Sequence, residues 1–146
     1  MIDEPLPGTN APRTEGPLDL LMSIIPVVGR RIMSGKKKYE YRRSIFRKPV
    51  NRIYLYLSSP EKKITGYFNY NGYIEGTVGE IWETTKGGSA ATEDAYLDYF
   101  KNAARAFAIR IDEFVKFAEP LDPWKTPGFF PPQSFRYVKA GSYGYT

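Results

Sequence analysis

Residues 34–43, with the sequence SGKKKYEYRR, decide how this chain is organised, because a glycine ends one element there and a strand pattern follows. Tyrosines alternate with charged residues in the second half of the stretch, which is the period-two pattern of a β-strand. We therefore expect Lys38, Glu40 and Arg42 to share one face of that strand. A carboxylate between two cations stays ionised and oriented, and the surplus positive charge can attract an anion. The pattern predicts a site for a phosphate-bearing ligand, in which Glu40 accepts hydrogen bonds from a base or a sugar.

The positive charge of the chain is concentrated around this stretch. Residues 36–52 carry eight basic residues and one acidic residue, whereas the net charge of the whole chain is +5. The remainder is therefore slightly acidic, and a localised patch of this kind favours an anionic partner. The alternative is that the basic run is only a solvated face. The predicted nucleic-acid-binding residues are Lys36, Lys37, Lys38, Glu40, Arg42, Arg43, Arg47 and Lys48.

Aromatic residues are interleaved with these charges. They are Tyr39, Tyr41, Phe46, Tyr54 and Tyr56. Cationic side chains combined with stacking aromatic rings are the usual means of binding single-stranded nucleic acid. The expected partner is therefore RNA or another single-stranded nucleic acid, or else a nucleotide or nucleoside, and the oligomeric state stays open.

The composition excludes several kinds of chemistry. The 146 residues include no cysteine and no histidine, which removes disulfides, thiol chemistry and every histidine-dependent triad, and argues against a zinc site. No apolar run reaches the roughly 18 residues of a membrane span, and the N-terminus lacks the pattern of a signal peptide. We expect a cytoplasmic protein without a metal, a cofactor or a membrane partner.

Three regions are predicted along the chain. Residues 1–17 contain four prolines and few core-forming side chains, which is typical of a flexible arm. Residues 18–138 carry all the patterned segments and are expected to form one domain. Residues 139–146 end in GSYGYT and are expected to be a frayed tail.

Within the domain, hydrophobic patterning predicts about five strands and two or three short helices. A helix should begin at Pro26 and end before Gly35, and Thr77 and Thr92 should each cap another helix. The main strand patterns cover residues 18–25, 38–43, 52–57, 63–74 and 106–117, with a last short strand before residue 138. These elements predict an α+β domain in which a small mixed sheet curls into a β-barrel, with the helices at its rim.

The pattern of Gly35, a basic pair and Glu40 two residues before Arg42 resembles the opening of an ASCH domain, a family of the PUA-like superfamily. The resemblance extends over residues 18–138. The other matching segments are residues 21–24, 53–56, 64–68, the helix with Trp82, and residues 106–109 and 131–135.

The resemblance implies a β-barrel with a cleft between barrel and helices, and binding of RNA or modified nucleobases. Some members of the family are hydrolases of acylated nucleoside amides, and others are connected with nuclease activity. By position, Lys37 matches the lysine of the amidohydrolase branch, whereas Glu40 stands where that branch has a hydroxyl residue. Lys37 and Glu40 are therefore the catalytic candidates if the protein is an enzyme.

Four further residues are candidates for lining the cleft, each beside a simpler interpretation. Trp82 either stacks on a base or packs in the core, and Glu75 lies either at the mouth of the barrel or in a plain turn. Gln133 and Ser134 line the cleft through the proline-rich segment or merely cover a strand edge.

The function that the sequence favours is an RNA- or nucleotide-binding module that uses a basic cleft. The first alternative is a small hydrolase acting on RNA or on an acylated or modified nucleoside, with Lys37 as base or oxyanion stabiliser and Glu40 as its partner. The second alternative is a DNA-binding transcriptional regulator. A DNA reader would normally present a basic helix, whereas the basic residues here fall on a strand and a loop.

Overall fold

The computed structural model describes residues 16–144, so residues 1–15 of the predicted arm and the last two residues of the predicted tail lie outside the described residues. Eight strands, three α-helices and two short 3-10 helices form within this part. The strands are β1 (Leu18–Ile24), β2 (Tyr39–Arg42), β3 (Arg52–Leu57), β4 (Lys63–Asn69), β5 (Tyr73–Gly76), β6 (Ala106–Arg110), β7 (Phe114–Leu121) and β8 (Phe135–Lys139). The helices are α1 (Pro26–Met33), α2 (Val78–Thr85), α3 (Glu93–Tyr99) and the 3-10 helices Lys86–Gly88 and Pro123–Lys125.

The described strands pair into two sheets. The five-stranded sheet has the order β7-β4-β3-β1-β8, and the three-stranded sheet has the order β2-β6-β5. Among the strands of residues 16–144, only β1 and β3 pair in parallel; the other pairs are antiparallel. The α+β class is confirmed, whereas the pairings of the described strands leave two separate sheets, so that a closed barrel stays a prediction.

Two of the predicted strands are each divided between the two sheets. The segment predicted at 63–74 becomes β4 and β5, with Gly72 between them at a φ of 99°. The segment predicted at 106–117 becomes β6 and β7. At both crossings the backbone hydrogen-bonds to other segments, since the Arg110 amide donates to the Gly72 carbonyl and the Ile111 amide to the Lys38 carbonyl. Alternation continues through such a crossing, so the pattern alone does not reveal the change of sheet.

The three predicted helices form at the expected places. Pro26 opens α1, and Gly35, with a φ of 83°, follows its C-cap residue. Thr77 and Glu80 form the reciprocal capping box of α2, and the Thr92 side chain caps α3. None of the helices in residues 16–144 is long and apolar enough to cross a membrane.

The hydrophobic residues form three clusters. The main core lies between the inner faces of the two sheets and includes Leu55 of β3 and Ile109 of β6. A second cluster packs α2 and α3 on the outer face of the three-stranded sheet, around Tyr41 and Tyr96. The third covers the outer face of the five-stranded sheet with residues of the C-terminal segment. The inner and outer faces of both sheets are therefore packed against other residues. The side chains of β2 alternate between the main core on the inner face and the second cluster on the outer face.

The C-terminal segment differs from the predicted frayed tail as far as residue 144. Lys139 belongs to β8, and the amide of Ala140 donates to the carbonyl of Pro17 at 2.8 Å. The Gly144 carbonyl accepts a hydrogen bond of 2.6 Å from the Tyr54 hydroxyl. These bonds hold residues 139–144 against the five-stranded sheet.

Candidate functional site

Three charged side chains meet in a nearly buried group, which we call the charged cluster: Lys37, Glu40 and Arg42. The Lys37 Nζ lies 3.7 Å from Glu40 Oε1, and the Arg42 Nη2 lies 3.1 Å from Glu40 Oε2. The three side chains are only 8%, 9% and 15% exposed, respectively. Two cations share one carboxylate, so the cluster has one surplus positive charge.

The position of the cluster follows from the start of β2. Glu40 is opposite Ile109 in the β2–β6 pair, and Ile109 belongs to the main core, so Glu40 faces the interior between the sheets. Gly35 takes a left-handed conformation that glycine adopts without strain. The turn brings the Lys37 amide to the Arg31 carbonyl at 3.0 Å, at the end of α1. The lysine thus enters the cluster from the loop and not from the strand.

Lys38, predicted as the partner of Glu40 on its N-terminal side, is wrong: the partner is Lys37. The sequence pattern predicts that Lys38 and Arg42 flank Glu40, whereas the structure brings Lys37 and Arg42 to it. Lys38 is exposed, and its amide donates to the Gly88 carbonyl at 2.7 Å. Alternation begins only where the strand does, at Tyr39, so it could not be extended back to Lys38.

Arg42 links the cluster to the five-stranded sheet. Its Nη1 donates to the Ser134 hydroxyl at 2.8 Å, and its Nη2 lies 3.5 Å from the Ser23 carbonyl oxygen of β1. The buried Nε has no hydrogen-bond partner among the described residues. Ser134 is exposed, so this side of the cluster faces solvent. The structure thus brings Ser134 to the basic stretch, and it adds Ser23, which is an isolated serine in an apolar strand pattern.

Burial lowers the pKa of the Lys37 amine. Glu40 opposes this change and raises the pKa, whereas the positive charges of Arg31 and Arg42 lower it further. The Lys37 Nζ also lies 4.7 Å from the centre of the Tyr41 ring, whose hydroxyl is 2.6 Å from the Thr85 hydroxyl. The amine is therefore held in one place and loses its proton more readily than a lysine in water.

Tyr99 of α3 is a site residue that the sequence analysis missed. Partial burial raises the pKa of its phenol, and the charges of Arg42, Glu40 and Arg43 act on it from close by. Tyr99 is nevertheless 43% exposed. In the sequence, Tyr99 is only one of three aromatic residues at helical spacing, with Tyr96 and Phe100, and only the fold brings α3 to the end of β2.

A second group of basic residues lines an open pocket of about 610 Å³, which we call the arginine pocket. Its cations are Arg43, Arg47 and Arg105, all exposed, and its floor includes the rings of Tyr73 and Phe107, with centroids 5.8 Å apart. The Arg105 Nε lies 3.3 Å from the Glu75 carboxylate, and Arg43 donates to the Lys101 carbonyl at 3.1 Å. The following residues line the pocket: Arg43, Ser44, Ile45, Arg47, Tyr73, Glu75, Ala103, Ala104, Arg105 and Phe107.

The arginine pocket adjoins the charged cluster. Phe107 lies directly opposite Arg42 in the β2–β6 pair and opposite Glu75 in the β5–β6 pair. Residues directly opposite one another share a face of the sheet. The two groups are therefore neighbours on the inner face of the three-stranded sheet.

The remaining predicted residues belong to neither group. Lys36 is exposed at the end of α1, and the Lys48 Nζ lies 5.2 Å from the centre of the Tyr137 ring. Trp82 packs in the second cluster, 4.9 Å from the Tyr96 ring, so its core interpretation is the one that fits. Gln133 is exposed and lines a cavity at the ends of β1 and β3. Within residues 16–144 no three carboxylates, or other metal-binding side chains, come together as a metal site would require.

Comparison with known proteins identifies relatives of this chain. No family model matches it. The chain is 29% identical over 129 residues to an ASCH domain-containing ribonuclease of Zymomonas mobilis, and the match covers 83% of this chain and 84% of that protein. The crystal structure of ASCH from Zymomonas mobilis superimposes with a TM-score of 0.75 at 26% identity, covering 84% of this chain and 88% of that one. A serine-to-alanine mutant of that protein gives a TM-score of 0.74, covering 84% and 89%.

The sequence match and the structural match each cover about four-fifths of the chain. The fold that carries the charged cluster is that of a solved ASCH structure, and the sequence match covers most of both proteins. The resemblance of residues 35–42 to the ASCH domain family is confirmed by this similarity to ASCH proteins in sequence and in fold.

Proposed function

We propose that this chain is an RNA-binding ASCH module that holds a single strand across the charged cluster and the arginine pocket. The observation that carries the proposal is the placement of Arg42, which joins a cluster of surplus positive charge to an open pocket of three arginines and two aromatic rings. In proteins that bind single strands, cationic side chains contact the phosphates and aromatic rings stack on the bases. The name of the Zymomonas mobilis relative, a ribonuclease, supports RNA as the ligand.

Each part of the site has a distinct role in this proposal. Arg43, Arg47 and Arg105 are exposed and available to a phosphate backbone, and the Tyr73 and Phe107 rings supply a stacking surface. Arg42 is held by Ser134 and by the cluster, so it meets its phosphate with little loss of conformational entropy.

Glu40 acts first by orienting the two cations beside it. Each of its oxygens is engaged by only one of those cations. A carboxylate oxygen has two lone pairs, so Glu40 can also accept a hydrogen bond from a ribose hydroxyl or a base edge. The two roles predict different effects of Glu40→Gln: the orienting role affects stability, and the hydrogen-bonding role affects selectivity among RNA sequences.

The test is a titration of a fluorescently labelled single-stranded RNA by anisotropy at several salt concentrations. Each phosphate contact on a single strand contributes about −0.7 to the slope of log K against log salt. Three contacts would give a slope of about −2. Lys37→Ala and Arg42→Ala should weaken binding, and Lys116→Ala, an exposed lysine on β7, serves as the matched control. Absence of binding at low salt, or binding without a slope, would contradict the proposal.

A second candidate function is RNA cleavage, and the observation that favours it is the buried Lys37 amine with its lowered pKa. In its neutral form this amine can take the proton of a ribose 2′-hydroxyl. The 2′-oxygen then forms a bond to phosphorus, the bond from phosphorus to the 5′-oxygen breaks, and that oxygen takes a proton from solvent. Arg42 would stabilise the charge that builds on the phosphate oxygens.

Cleavage is tested with a short RNA, the all-deoxy strand of the same sequence and an acylated cytidine. The mechanism predicts cleavage of the RNA alone, and loss of cleavage in Lys37→Ala. Turnover that survives Lys37→Ala would remove this mechanism, and turnover that a chelator abolishes would replace it with a metal-dependent one. Hydrolysis of the acylated cytidine would favour the amide-hydrolase alternative instead.

A further inference from the structure

A cavity of about 370 Å³ opens at the carboxyl ends of the parallel strands β1 and β3, and we call it the Trp124 pocket. Crevices outside the carboxyl ends of parallel strands are common ligand sites. Ser23 and Ile24 end β1 there, and Ser58 and Ser59 follow β3. The Pro123–Lys125 3-10 helix and the segment 131–133 complete its walls.

Trp124 is a large exposed aromatic side chain that is nonetheless fixed. It is 45% exposed, yet its indole N–H donates to the Tyr56 hydroxyl at 3.2 Å. Its ring packs edge-on against Phe129, with centroids 5.2 Å apart and an angle of 82° between the planes. Asp122 caps the 3-10 helix by accepting a hydrogen bond from the Trp124 amide. The indole therefore offers a flat apolar face without having to be ordered by a ligand.

The Trp124 pocket shares a wall with the charged cluster. Ser23 lines the pocket, and its carbonyl oxygen lies 3.5 Å from the Arg42 Nη2. Gln133 lines the pocket as well, and the next residue, Ser134, accepts the hydrogen bond of 2.8 Å from Arg42. The Ser23 hydroxyl donates to the Pro132 carbonyl at 2.6 Å, which fixes this wall. Arg42 therefore contacts one residue of the pocket wall, Ser23, and the residue that follows another, Ser134.

The chemistry of the pocket matches a nucleobase. The indole and Ile25, which is 57% exposed, provide apolar surface. Ser58, Ser59 and Gln133 place hydroxyl and amide groups around it, which can donate to and accept from the edge of a base. The Lys62 Nζ lies 5.7 Å from the centre of the indole ring and adds a positive charge for a phosphate.

We propose that the Trp124 pocket binds one base of the RNA strand, stacked on the indole, while a neighbouring phosphate lies against Arg42. The proposal rests on the proposed function, because the strand must pass the charged cluster to reach the pocket. It adds a base-binding subsite on the side of Ser134 that lies away from the arginine pocket. The strand would then contact aromatic rings on both sides of the cluster.

The first experiment measures the affinity for a labelled single-stranded RNA by anisotropy in Trp124→Ala. Loss of one stacked base weakens binding roughly 5- to 150-fold. Trp124→Tyr keeps a stacking ring and should retain most of the affinity. Phe130→Ala is the matched control, since Phe130 is a 66% exposed aromatic residue that is not part of the pocket wall.

The second experiment uses the fluorescence of the two tryptophans of the chain. Trp82 is 8% exposed on the buried face of α2, so an RNA strand cannot stack on it. Unlabelled RNA should quench the emission of wild type and of Trp82→Phe, and it should leave the emission of Trp124→Phe unchanged. This readout does not require Trp124→Ala to fold.

The outcomes separate the two proposals. If wild type binds no RNA, both are overturned. If wild type binds RNA while Trp124→Ala binds equally well and Trp124 emission does not change, the base pocket alone is overturned. That result would assign the exposed indole to another occupant, such as a peptide.

Discussion

The charged cluster and the arginine pocket come from one basic run and lie side by side, yet they are built in opposite ways. In the cluster, the Lys37 and Arg42 side chains are only 8% and 15% exposed, and both engage Glu40. In the pocket, Arg43 and Arg47 are exposed. A single residue along the chain, from Arg42 to Arg43, separates a cation held inside the fold from one held in water. Charged residues that are adjacent in the sequence can therefore have different roles in the folded protein.

The difference in burial changes the energetics of the two groups. Buried charges interact strongly, because the surrounding dielectric constant is low, but they lose their hydration. Exposed charges keep their hydration and are screened by salt over about 10 Å at an ionic strength of 0.1 M. We expect changes in the cluster to affect stability and proton uptake, and changes in the pocket to affect the salt dependence of binding.

The largest expected effect is that of Glu40→Gln on stability. The substitution leaves two cations near each other with no carboxylate between them, in side chains that are at most 15% exposed. Removal of one partner of a buried ion pair costs about 3 to 5 kcal/mol. Urea unfolding measures the loss, and Glu83→Gln is the control because Glu83 pairs with Lys86 on the surface. A loss no larger than that of Glu83→Gln would mean that solvent screens the cluster.

The next effect is the pH dependence that Lys37 gives to stability. Burial lowers the pKa of Lys37 in the folded state below its ordinary value of 10.5. At a pH between the folded-state pKa and 10.5, Lys37 therefore holds a proton in the unfolded chain more often than in the folded protein. The free energy of unfolding should therefore rise with pH through that window, and the cost of burying the ammonium is fully present below it.

Lys37→Met should remove this rise, as urea unfolding at a series of pH values would measure. Tyrosines act in the opposite direction: burial raises the pKa of Tyr96 to about 12, so the folded state keeps that proton from pH 10 to about pH 12. The contribution of Tyr96 is common to wild type and Lys37→Met, so it cancels when their pH profiles are compared. Identical pH profiles for the two proteins would show that Lys37 keeps an ordinary pKa.

A smaller effect is expected from the exposed arginines. Arg43→Ala and Arg47→Ala should each reduce the steepness of the log–log salt slope of RNA binding by about 0.7, one phosphate contact. Unfolding free energies should be almost unchanged, since both side chains are exposed. Anisotropy titrations at several salt concentrations measure the slopes. An unchanged slope in both variants would place the RNA outside the arginine pocket.

The smallest effect is expected from Lys36→Ala and Lys38→Ala. Both lysines are exposed and lie at the α1 side of the loop, apart from the cluster and the pocket. Their removal should change RNA affinity less than about twofold at moderate salt. A loss comparable to that of Arg42→Ala, measured in the same titration, would extend the binding surface to the end of α1.

Helix caps, turns and hydrophobic patterns in the sequence predicted the helices and strands of this fold well. They predicted poorly how the strands are arranged into sheets. The capping box of Thr77 and Glu80 and the turn at Gly35 depend on neighbouring residues, so the sequence contains them in full. Gly66 interrupts a strand pattern, which is a local signal of a bulge or close approach; it lies at a register shift, and a Cβ there would be 2.1 Å from the Val115 carbonyl oxygen. The assignment of β4 and β5 to different sheets depends on contacts with distant segments, and alternation carries no such information.

The same limit applies to the site. Lys37, Glu40 and Arg42 were predicted as site residues because they are close in sequence. That Lys37, and not Lys38, is the partner of Glu40 depends on the hydrogen bond from the Lys37 amide to the end of α1. Ser23, Tyr99 and Trp124 come from β1, α3 and the segment after β7, and only the fold brings those elements to the ends of β2 and β3. Ser134 was predicted as a cleft residue through the family resemblance, and its hydroxyl accepts the hydrogen bond from Arg42.

The hydrogen bond of 2.8 Å between the amide of Ala140 and the carbonyl of Pro17 also bears on how this domain can be recombined. It ties the start of the described chain to its end on one side of the five-stranded sheet, away from the three-stranded sheet that carries the cluster. A domain whose ends lie side by side tolerates circular permutation and insertion into a loop of another protein. The proposed binding surface can therefore be grafted as a unit, with both connections leaving from the same edge.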